Sequence, residues 1–382
     1  AYPIRSIFRN RDNVKFLLGE VVAIDKDAQV VTVDSAAGGL REESYDYLFV
    51  AAGAVTNYFG SEQIKNNSFG LNDLTDAVAL RQHVLRLLEK AAWATDAEER
   101  DALLTFVVVG GGPTGLETAG SLYELYKFVL DKEYDKQNNM DMEVILLEAQ
   151  DKLLLPYPEN LQKSAKKQLE SMGVTVRTGA FVSEVGPDFI ELKDGTRIHT
   201  HTIVWATGVT SSPLTEMLDI ELARGGRIPV RTTMQLVEHD NIFAAGDITY
   251  LQNPKTGDPY PGVIPVAQQQ GGVVAKNIMH MIRGEPNEYF EYFDRGSMAT
   301  IGRRRAVAWV FNRISLTGYF AWAAWLVVHV SVLLGMRKRI QVMLSWTWDY
   351  FFYDRSVRII VNEDELIRRY EKTIDTDKKS MA

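Results

Sequence analysis

Residues 106–115 read FVVVGGGPTG, a short β-branched run that leads directly into a glycine-rich turn. Gly110, Gly112 and Gly115 have the spacing G-x-G-x-x-G, which permits a tight turn, close approach of the backbone to a pyrophosphate, and close packing of a helix on a strand. Residues 116–130 then show helical apolar spacing, and residues 142–147 have the pattern of a second buried strand. The segment therefore predicts a β-α-β unit that binds a dinucleotide at the helix N-terminus.

The second strand of this unit ends at Glu148. A carboxylate at that place accepts hydrogen bonds from a ribose diol and repels a 2′-phosphate. It lies farther from the glycine turn than the about 20 residues typical of such units, because a polar insert follows the helix. We expect NADH rather than NADPH.

Length and composition narrow the class of protein. A chain of 382 residues is long enough for two domains. Its net charge of −8 gives no reason to expect nucleic acid as a partner. The chain has no cysteine, which excludes a disulfide framework, a redox dithiol and a cysteine persulfide within these residues. No metal site is expected.

The same order of elements occurs twice. A hairpin pattern at residues 14–33 precedes a buried strand at 45–51, and a similar pattern at 174–192 precedes a strand at 202–206. This internal duplication predicts an α/β chain with two Rossmann-like dinucleotide-binding domains. The glycine turn of the first copy would lie before Ala1, so we expect that domain to be N-terminally truncated and to lack its first β-α-β unit.

Residues 241–247 form a short apolar strand that delivers Gly246 and Asp247 at its end. A carboxylate at this point is suitably placed to hold a ribityl hydroxyl. A solvated turn explains the same residues equally well.

With these motifs the chain resembles the type II NADH:quinone oxidoreductases, within the two-dinucleotide flavoprotein superfamily. The resemblance rests on residues 109–117, 205–208 (WATG), 242–247 (IFAAGD), 261–271 (PGVIPVAQQQG) and 296–302 (GSMATIG), the last two being the most specific. It implies that NADH transfers a hydride to FAD and that two electrons then pass to a membrane quinone, ubiquinone or menaquinone, without proton pumping.

The resemblance also implies an organisation into domains. The FAD domain would comprise residues 1–71 and 230–313, and the NADH-binding Rossmann domain residues 72–229. The remainder, residues 314–382, would form amphipathic helices that anchor the protein to the membrane.

Site residues follow from the resemblance, position by position. Those expected at NADH are Gly110, Gly111, Gly112, Pro113, Thr114, Gly115, Glu148, Ala206, Thr207 and Gly208. Those expected at FAD are Ala51, Gly53, Gly246, Asp247, Val266 and Ala267.

Three further residues are expected to act in catalysis. Gln269 and Gln270 would lie beside the flavin at the quinone pocket, where an amide can donate to a quinone oxygen as it gains negative charge. The alternative is a glutamine run that caps a helix start. Glu117 would lie near the nicotinamide and steer it or relay a proton; the alternative is a carboxylate favoured by the helix N-terminus. Pro265 stands where many members carry another glutamine.

Residues 314–336 contain no charged residue. The length suits a spanning helix. However, Tyr319, Phe320, Trp322 and Trp325 suit a membrane interface, and a basic run at 337–339 follows. We expect a helix that lies on the bilayer surface, at the cytoplasmic face of the cell membrane. A buried helix of a homodimer and a true span remain alternatives.

Two other functions are compatible with the same motifs. One is a soluble FAD-dependent NADH reductase of ferredoxin or another acceptor, against which the apolar C-terminal segment argues. The other is an NADH-sensing flavoprotein with slow turnover. A sulfide:quinone reductase is disfavoured because the chain has no cysteine.

Overall fold

The computed structural model describes residues 4–9, 11–36, 38–130, 141–333, 335–352 and 359–360. The chain forms two compact units. Unit 1 is Ala1–Phe59 with Gly208–Arg295, and unit 2 is Gly60–Thr207 with Gly296–Ala382. The expected domain limits stay predictions; in this division into units, residues 60–71 and 296–313 lie in unit 2, and residues 208–229 lie in unit 1.

The helices of the described residues, in chain order, are α1 (Ile4–Ile7), α2 (Glu62–Asn67), α3 (Leu74–Trp93), α4 (Ala97–Leu104), α5 (Pro113–Glu124), α6 (Glu159–Met172), α7 (Ile264–Arg283), α8 (Gly318–Val332) and α9 (Met336–Phe352). A π-helical segment, Leu125–Leu130, continues α5, and a 3₁₀ helix covers Pro213–Leu218.

The strands of the described residues are β1 (Gly19–Asp25), β2 (Val30–Ser35), β3 (Leu40–Ser44), β4 (Leu48–Val50), β5 (Ala54–Thr56), β6 (Thr105–Val109), β7 (Glu143–Glu148), β8 (Thr175–Thr178), β9 (Val182–Val185), β10 (Phe189–Leu192), β11 (Arg197–His199), β12 (Thr202–Trp205), β13 (Val209–Ser211), β14 (Ile228–Pro229), β15 (Ile242–Ala244), β16 (Thr249–Tyr250), β17 (Gly296–Gly302), β18 (Arg305–Val310) and β19 (Ile314–Thr317).

Unit 2 is built on a four-stranded parallel sheet in the order β12-β6-β7-β8. Its central strand β6 is buried on both faces, because Phe106, Val107 and Val108 are all fully inaccessible to solvent. Parallel strands covered on both faces are typically continuous apolar runs, as this one is. The predicted strand, glycine turn, helix and strand are therefore present in that order.

A second layer of unit 2 is the antiparallel sheet β17-β18-β19. Helix α5 packs closely on β17, since a Cβ at Gly120 would lie 1.6 Å from the carbonyl oxygen of Ile301. Helix α8 packs on β18 through a small cluster of fully buried alanines, Ala306, Ala308 and Ala321. The start of the predicted anchor is thus joined to the core of unit 2.

Unit 1 contains the antiparallel meander β1-β2-β3, whose first hairpin agrees with the sequence prediction, and several two-stranded pairs. The pair that matters for the site is β4 with β15, which run parallel. Both strands end near glycines, Gly53 and Gly246, with φ of +69° and +83°. Their apolar side chains join one core that includes Val50, Phe243 and Val266.

The uncharged stretch 314–336 is not one helix. It divides into β19, which pairs with β18, the helix α8, and the first residue of α9. No helix in the described part of the chain is long and apolar enough to cross a membrane. The expected helix is therefore shorter than the uncharged stretch, because β19 has a strand partner that the local pattern does not reveal.

Candidate functional site

The glycine turn after β6 leaves no room for side chains at two positions. Gly110 has φ +121°, and a Cβ there would lie 2.4 Å from the carbonyl oxygen of Ala206. A Cβ at Gly115 would lie 1.8 Å from the carbonyl oxygen of Gly110. Real Cβ atoms never approach backbone so closely, so glycine is required at both places. The G-x-G-x-x-G spacing therefore has a steric cause in this fold.

The first turn of α5 offers unsatisfied backbone donors. Gly112 is its N-cap and has no side chain to accept from them, while Pro113 and Thr114 lie exposed in that first turn. The carboxyl end of the neighbouring strand β12 leads to Thr207, whose hydroxyl is buried without a hydrogen-bond partner among the described residues. Free N–H groups at a helix start and a buried hydroxyl without a partner fit a bound dinucleotide.

Glu148 stands at the end of β7, beside the glycine turn. Its Oε2 accepts a hydrogen bond from the backbone N–H of Gly111 at 2.5 Å, and its Oε1 accepts one from that of Gln150 at 2.7 Å. An ionised carboxylate has about four acceptor positions. The two backbone bonds therefore fix the carboxylate in place and leave capacity for a ribose diol.

Glu117 lies in the second turn of α5 rather than the first, so the helix N-terminus does not explain it. It is partly buried and accepts a hydrogen bond from the backbone N–H of Thr300 on β17 at 3.2 Å. Burial raises its pKa, and the bond from Thr300 opposes that shift. Burial and the charge of Glu117 raise the pKa of the nearby Tyr157 to about 12. The Glu117 carboxyl can therefore hold a proton away from bulk solvent.

In unit 1, Asp247 follows β15 and Gly246. A Cβ on Gly246 would lie 3.3 Å from the side chain of Ala267. Burial raises the pKa of Asp247, and the positive charge of Arg227 opposes this. Gly262 approaches the same carboxylate, since a Cβ there would lie 3.1 Å from Asp247 Oδ1. A half-buried acceptor at a strand end, with glycine backbone around it, fits the polar chain of a flavin cofactor.

The glutamines on α7 have different partners. Gln270 is 1 % exposed, and its Oε1 accepts from the backbone N–H of Gly246 at 2.7 Å. Gln269 is half-buried and pairs with the backbone of Phe293: its Nε2 donates to the carbonyl oxygen at 3.1 Å, and its Oε1 accepts from the N–H at 2.9 Å. Neither caps the start of α7, where no side-chain capping bond is formed. The capping alternative is thereby removed.

Within each unit, the structure places several of the expected residues next to one another. In unit 2 the turn 110–115, Glu148 and Ala206 meet at the carboxyl end of the parallel sheet. Gly208 belongs to unit 1, where its carbonyl oxygen accepts from the N–H of Asn57. Ala51 follows β4, and Val266 is buried in the first turn of α7 beside Ala267.

Sequence reasoning missed the surroundings of Glu117. Tyr157 is buried beside it, and Ser297 and Thr300 approach from β17, more than one hundred residues away in the chain. Ser297 and Thr300 lie in the run 296–302, which carries the family resemblance, so a signal was present. No local pattern indicated Tyr157.

This geometry, two units with a dinucleotide turn in one and a strand-end carboxylate in the other, agrees with what family models find. A model described as pyridine nucleotide-disulphide oxidoreductase matches residues 4–271. The chain therefore belongs to that class of protein. A second model, described as the NDH2 C-terminal domain, matches residues 295–355.

Curated relatives define the family within this class. The type II NADH:quinone oxidoreductase NdhA of Mycobacterium tuberculosis is 39 % identical over 91 % of this chain and 75 % of the relative. Ndh of the same organism is 36 % identical over 96 % of this chain and 80 % of the relative. The chain belongs to the type II NADH:quinone oxidoreductases. The expected family, enzyme class and cofactors, FAD and NADH, are confirmed by these matches.

The fold has a counterpart among solved structures. NDH2 from Plasmodium falciparum, in a structure determined in complex with NADH, aligns with a TM-score of 0.85 over 94 % of this chain and 88 % of that one. The identity is 18 %, so this likeness concerns the fold.

Proposed function

We propose that this chain oxidises NADH and reduces a membrane quinone, ubiquinone or menaquinone, without pumping protons. NADH binds unit 2 and FAD binds unit 1. A flavin held in unit 1 would supply the capacity to take up a hydride from NADH and to transfer two electrons to the quinone. The observation that carries the proposal is the glycine turn, where Gly110 and Gly115 are sterically required beside a helix start with unsatisfied donors.

The residues of unit 2 hold and orient NADH. Backbone N–H groups in the first turn of α5 bind the pyrophosphate, and the helix dipole favours its negative charge. Glu148, fixed by two backbone bonds, accepts from the ribose hydroxyls and disfavours a 2′-phosphate. Thr207 supplies a hydroxyl whose hydrogen-bonding capacity is otherwise unused among the described residues.

Glu117 steers the nicotinamide and holds a proton. Burial raises the pKa of Glu117, so the carboxyl releases its proton at a higher pH than an exposed glutamate does, which suits a group that exchanges protons. Thr300 fixes its orientation. Tyr157, with a pKa of about 12, stays neutral and excludes water from one side of the carboxyl.

In unit 1 the turn at Gly246 and Asp247 holds the flavin cofactor, with Ala51, Gly53, Val266 and Ala267 lining it. Gln270 supports this turn through the N–H of Gly246. Because its Oε1 is engaged in that bond, the orientation of the amide is fixed, and Nε2 is the end that donates to a quinone oxygen as negative charge develops there. Gln269 acts less directly, by fixing the backbone at Phe293.

The membrane is reached through α8 and α9. Both helices carry large apolar side chains that are strongly exposed, including Phe320 (74 %), Val327 (70 %) and Leu344 (66 %). Many exposed apolar side chains on two neighbouring helices favour a binding surface for lipid or protein. We propose that it binds the bilayer at the cytoplasmic face of the cell membrane; homodimerisation through α8 is the alternative occupant.

Half-reaction kinetics test the proposal. NADH should reduce the protein-bound flavin under anaerobic conditions, and a quinone should reoxidise it. Gln270→Glu, with Gln268→Glu on the exposed face of the same helix as control, should slow the quinone step more than the NADH step. Equal slowing of both steps would assign Gln270 a purely structural role. Flavin that NADH does not reduce would refute the function itself.

The two rival functions make different predictions in the same assay. A soluble reductase would turn over with ferredoxin or a dye and ignore a long-tailed quinone. A sensing flavoprotein would be reduced once by NADH and reoxidise slowly with every acceptor.

A further inference from the structure

The β17–β18 hairpin ends in three consecutive arginines, Arg303, Arg304 and Arg305, that no step of the proposed reaction uses. They line a cleft of about 470 Å³ in unit 2. The other residues that the argument needs from its lining are Ser164, Gln168 and Thr317. A volume of this size lies within the range of small-ligand sites, about 300–1,000 Å³.

The charge in the cleft is predominantly positive. Glu124 on α5 binds the hairpin behind the cleft, because it accepts a hydrogen bond from the backbone N–H of Arg303. Burial raises the pKa of Glu124, and the bond from Arg303 and the charges of Arg303 and Arg305 oppose that shift. Among the described residues that line the cleft, three carry a guanidinium group and none carries a carboxylate. Such a group attracts an anion.

Two of the three arginines contact one aromatic ring. The guanidinium of Arg303 lies over the ring of Tyr350 on α9, 4.0 Å from its centroid, and Arg304 both donates to the Tyr350 hydroxyl and lies 5.1 Å from the same centroid. Arg304 lies in the turn of the hairpin, where its backbone is left-handed with φ +63°. Planar guanidinium groups fixed in this way match the oxygens of a phosphate geometrically.

Polar groups on the other walls complete the cleft. Gln168 donates to Ser164 Oγ at 3.1 Å and to the carbonyl oxygen of Ala306 at 3.2 Å, which holds its amide; its Oε1 is buried and lacks a hydrogen-bond partner among the described residues. That oxygen is suited to a ligand that also donates, such as a hydroxyl. Thr317 is the N-cap of α8 and forms no capping bond, so backbone donors of that helix start also face the cleft side.

The surface beside the cleft decides which phosphate compound it suits. Gly318, which also lines it, begins α8, and the next residues, Tyr319 and Phe320, are 54 % and 74 % exposed. Inorganic phosphate has no apolar part that could contact these exposed side chains. A phospholipid offers a phosphate, hydroxyl groups and acyl chains together.

We propose that the Arg303–Arg305 cleft binds the headgroup of an anionic phospholipid. The hairpin tip then contacts the charged headgroups of the bilayer, and α8 and α9 contact its apolar part. The inference rests on the membrane-bound part of the proposed function. It adds lipid selectivity, which apolar helices alone do not provide.

Vesicle binding of the intact holoenzyme tests this. Vesicles of phosphatidylcholine alone are compared with vesicles that also contain phosphatidylglycerol, at about 0.15 M salt, where long-range attraction is screened. Arg304→Gln/Arg305→Gln should lower partitioning onto the anionic vesicles about 30-fold, the change expected at roughly 1 kcal/mol for each of two basic residues. Partitioning onto the neutral vesicles should not change.

Two matched variants separate a site from general surface charge. Arg337→Gln/Lys338→Gln removes the same charge from the start of α9, outside the lining of the cleft, and should have a smaller effect. Arg304→Lys/Arg305→Lys keeps the charge and removes the planar forks, and should still lose at least threefold. Equal losses in the two glutamine variants, with wild-type behaviour of the lysine variant, would overturn the inference.

The remaining outcomes are distinct. Inorganic phosphate that binds wild type but not Arg304→Gln/Arg305→Gln, with vesicle preference unchanged, would assign the cleft to free phosphate and overturn the lipid. Wild type that binds neither vesicle would refute the anchor and this inference together. NADH oxidation with a water-soluble quinone, measured on the same samples, tests the redox function independently: its absence would refute that function while the vesicle result stands.

Discussion

Removing the Gln270 side-chain oxygen should release FAD. In the structure this oxygen accepts from the N–H of Gly246 at 2.7 Å and lies 3.4 Å from the hydroxyl of Thr249, and the residue is 1 % exposed. Gln270→Leu keeps the approximate shape but leaves the Gly246 N–H without an acceptor. A buried donor left in this state costs about 1–3 kcal/mol.

The cost falls on the turn that presents Asp247. If that turn holds the cofactor, FAD should dissociate about 5- to 150-fold more readily, the range that corresponds to 1–3 kcal/mol at 25 °C. Flavin fluorescence, which rises on release, measures the dissociation constant of the holoenzyme on dilution. Denaturant unfolding of the same samples shows whether the remainder of the fold is intact.

The matched control is Gln269→Leu, one residue earlier on the same helix. Its amide binds the backbone at Phe293 rather than the turn at Gly246, so FAD should be retained at near wild-type affinity. Equal FAD release by both variants, or by neither, would refute the assignment of the Gly246 and Asp247 turn to the cofactor.

Three further changes have expected outcomes. Glu148→Gln should raise the kcat/KM for NADPH relative to NADH about tenfold, because one repulsive charge near the 2′-phosphate is removed; an unchanged ratio would move the ribose site elsewhere. Glu117→Gln should be more stable than wild type by an amount that grows as the pH rises from below 4.5 through the raised pKa of Glu117, because only wild type must then bury an ionised carboxylate. Denaturant midpoints measured across this pH range test the prediction. A difference in stability that does not change with pH would contradict it. Phe320→Ser/Val327→Ser should weaken binding to neutral vesicles at least tenfold, since burying each apolar side chain contributes about 1.5–3 kcal/mol. The control is Trp93→Ser on α3, where the tryptophan is 86 % exposed, and it should leave vesicle binding unchanged.

The β-α-β unit could be predicted because its signals are local. Strand β6 is a continuous apolar run, the glycine spacing follows from contacts inside the turn, and β7 ends where the acidic residue stands. The steric requirement at Gly110 involves Ala206, yet the sequence still showed it because glycine is itself the signal.

The boundary between strand and helix in the C-terminal segment could not be predicted from the sequence. Its uncharged residues are compatible with helix or strand, and β19 is a strand because β18 offers it a hydrogen-bonding edge. The contact of this segment with the membrane stays a prediction. Trp322 packs on the alanine cluster of β18 and α8, and Trp325 stacks on His329, with ring centroids 3.7 Å apart. Leu334, which also belongs to the uncharged stretch, lies outside the described residues.

The hydrogen-bond partners of the site residues also could not be predicted from the sequence. Gln270 binds a residue 24 positions earlier, and Glu117 binds Thr300, which lies 183 positions later. Such pairs are set by the packing of whole elements, α7 against the end of β15 and α5 against β17. The sequence therefore indicated which residues matter, but not what each one holds.

Anaerobic stopped-flow mixing of the holoenzyme tests the central claim most directly. Absorbance of the bound flavin is followed first with NADH and then, on the reduced protein in vesicles, with a long-tailed quinone. We expect NADH to bleach the flavin, NADPH to do so far more slowly, and the quinone to restore the absorbance within the turnover time. Flavin that NADH does not bleach, or that recovers with a soluble acceptor but not with the quinone, would contradict the proposed function.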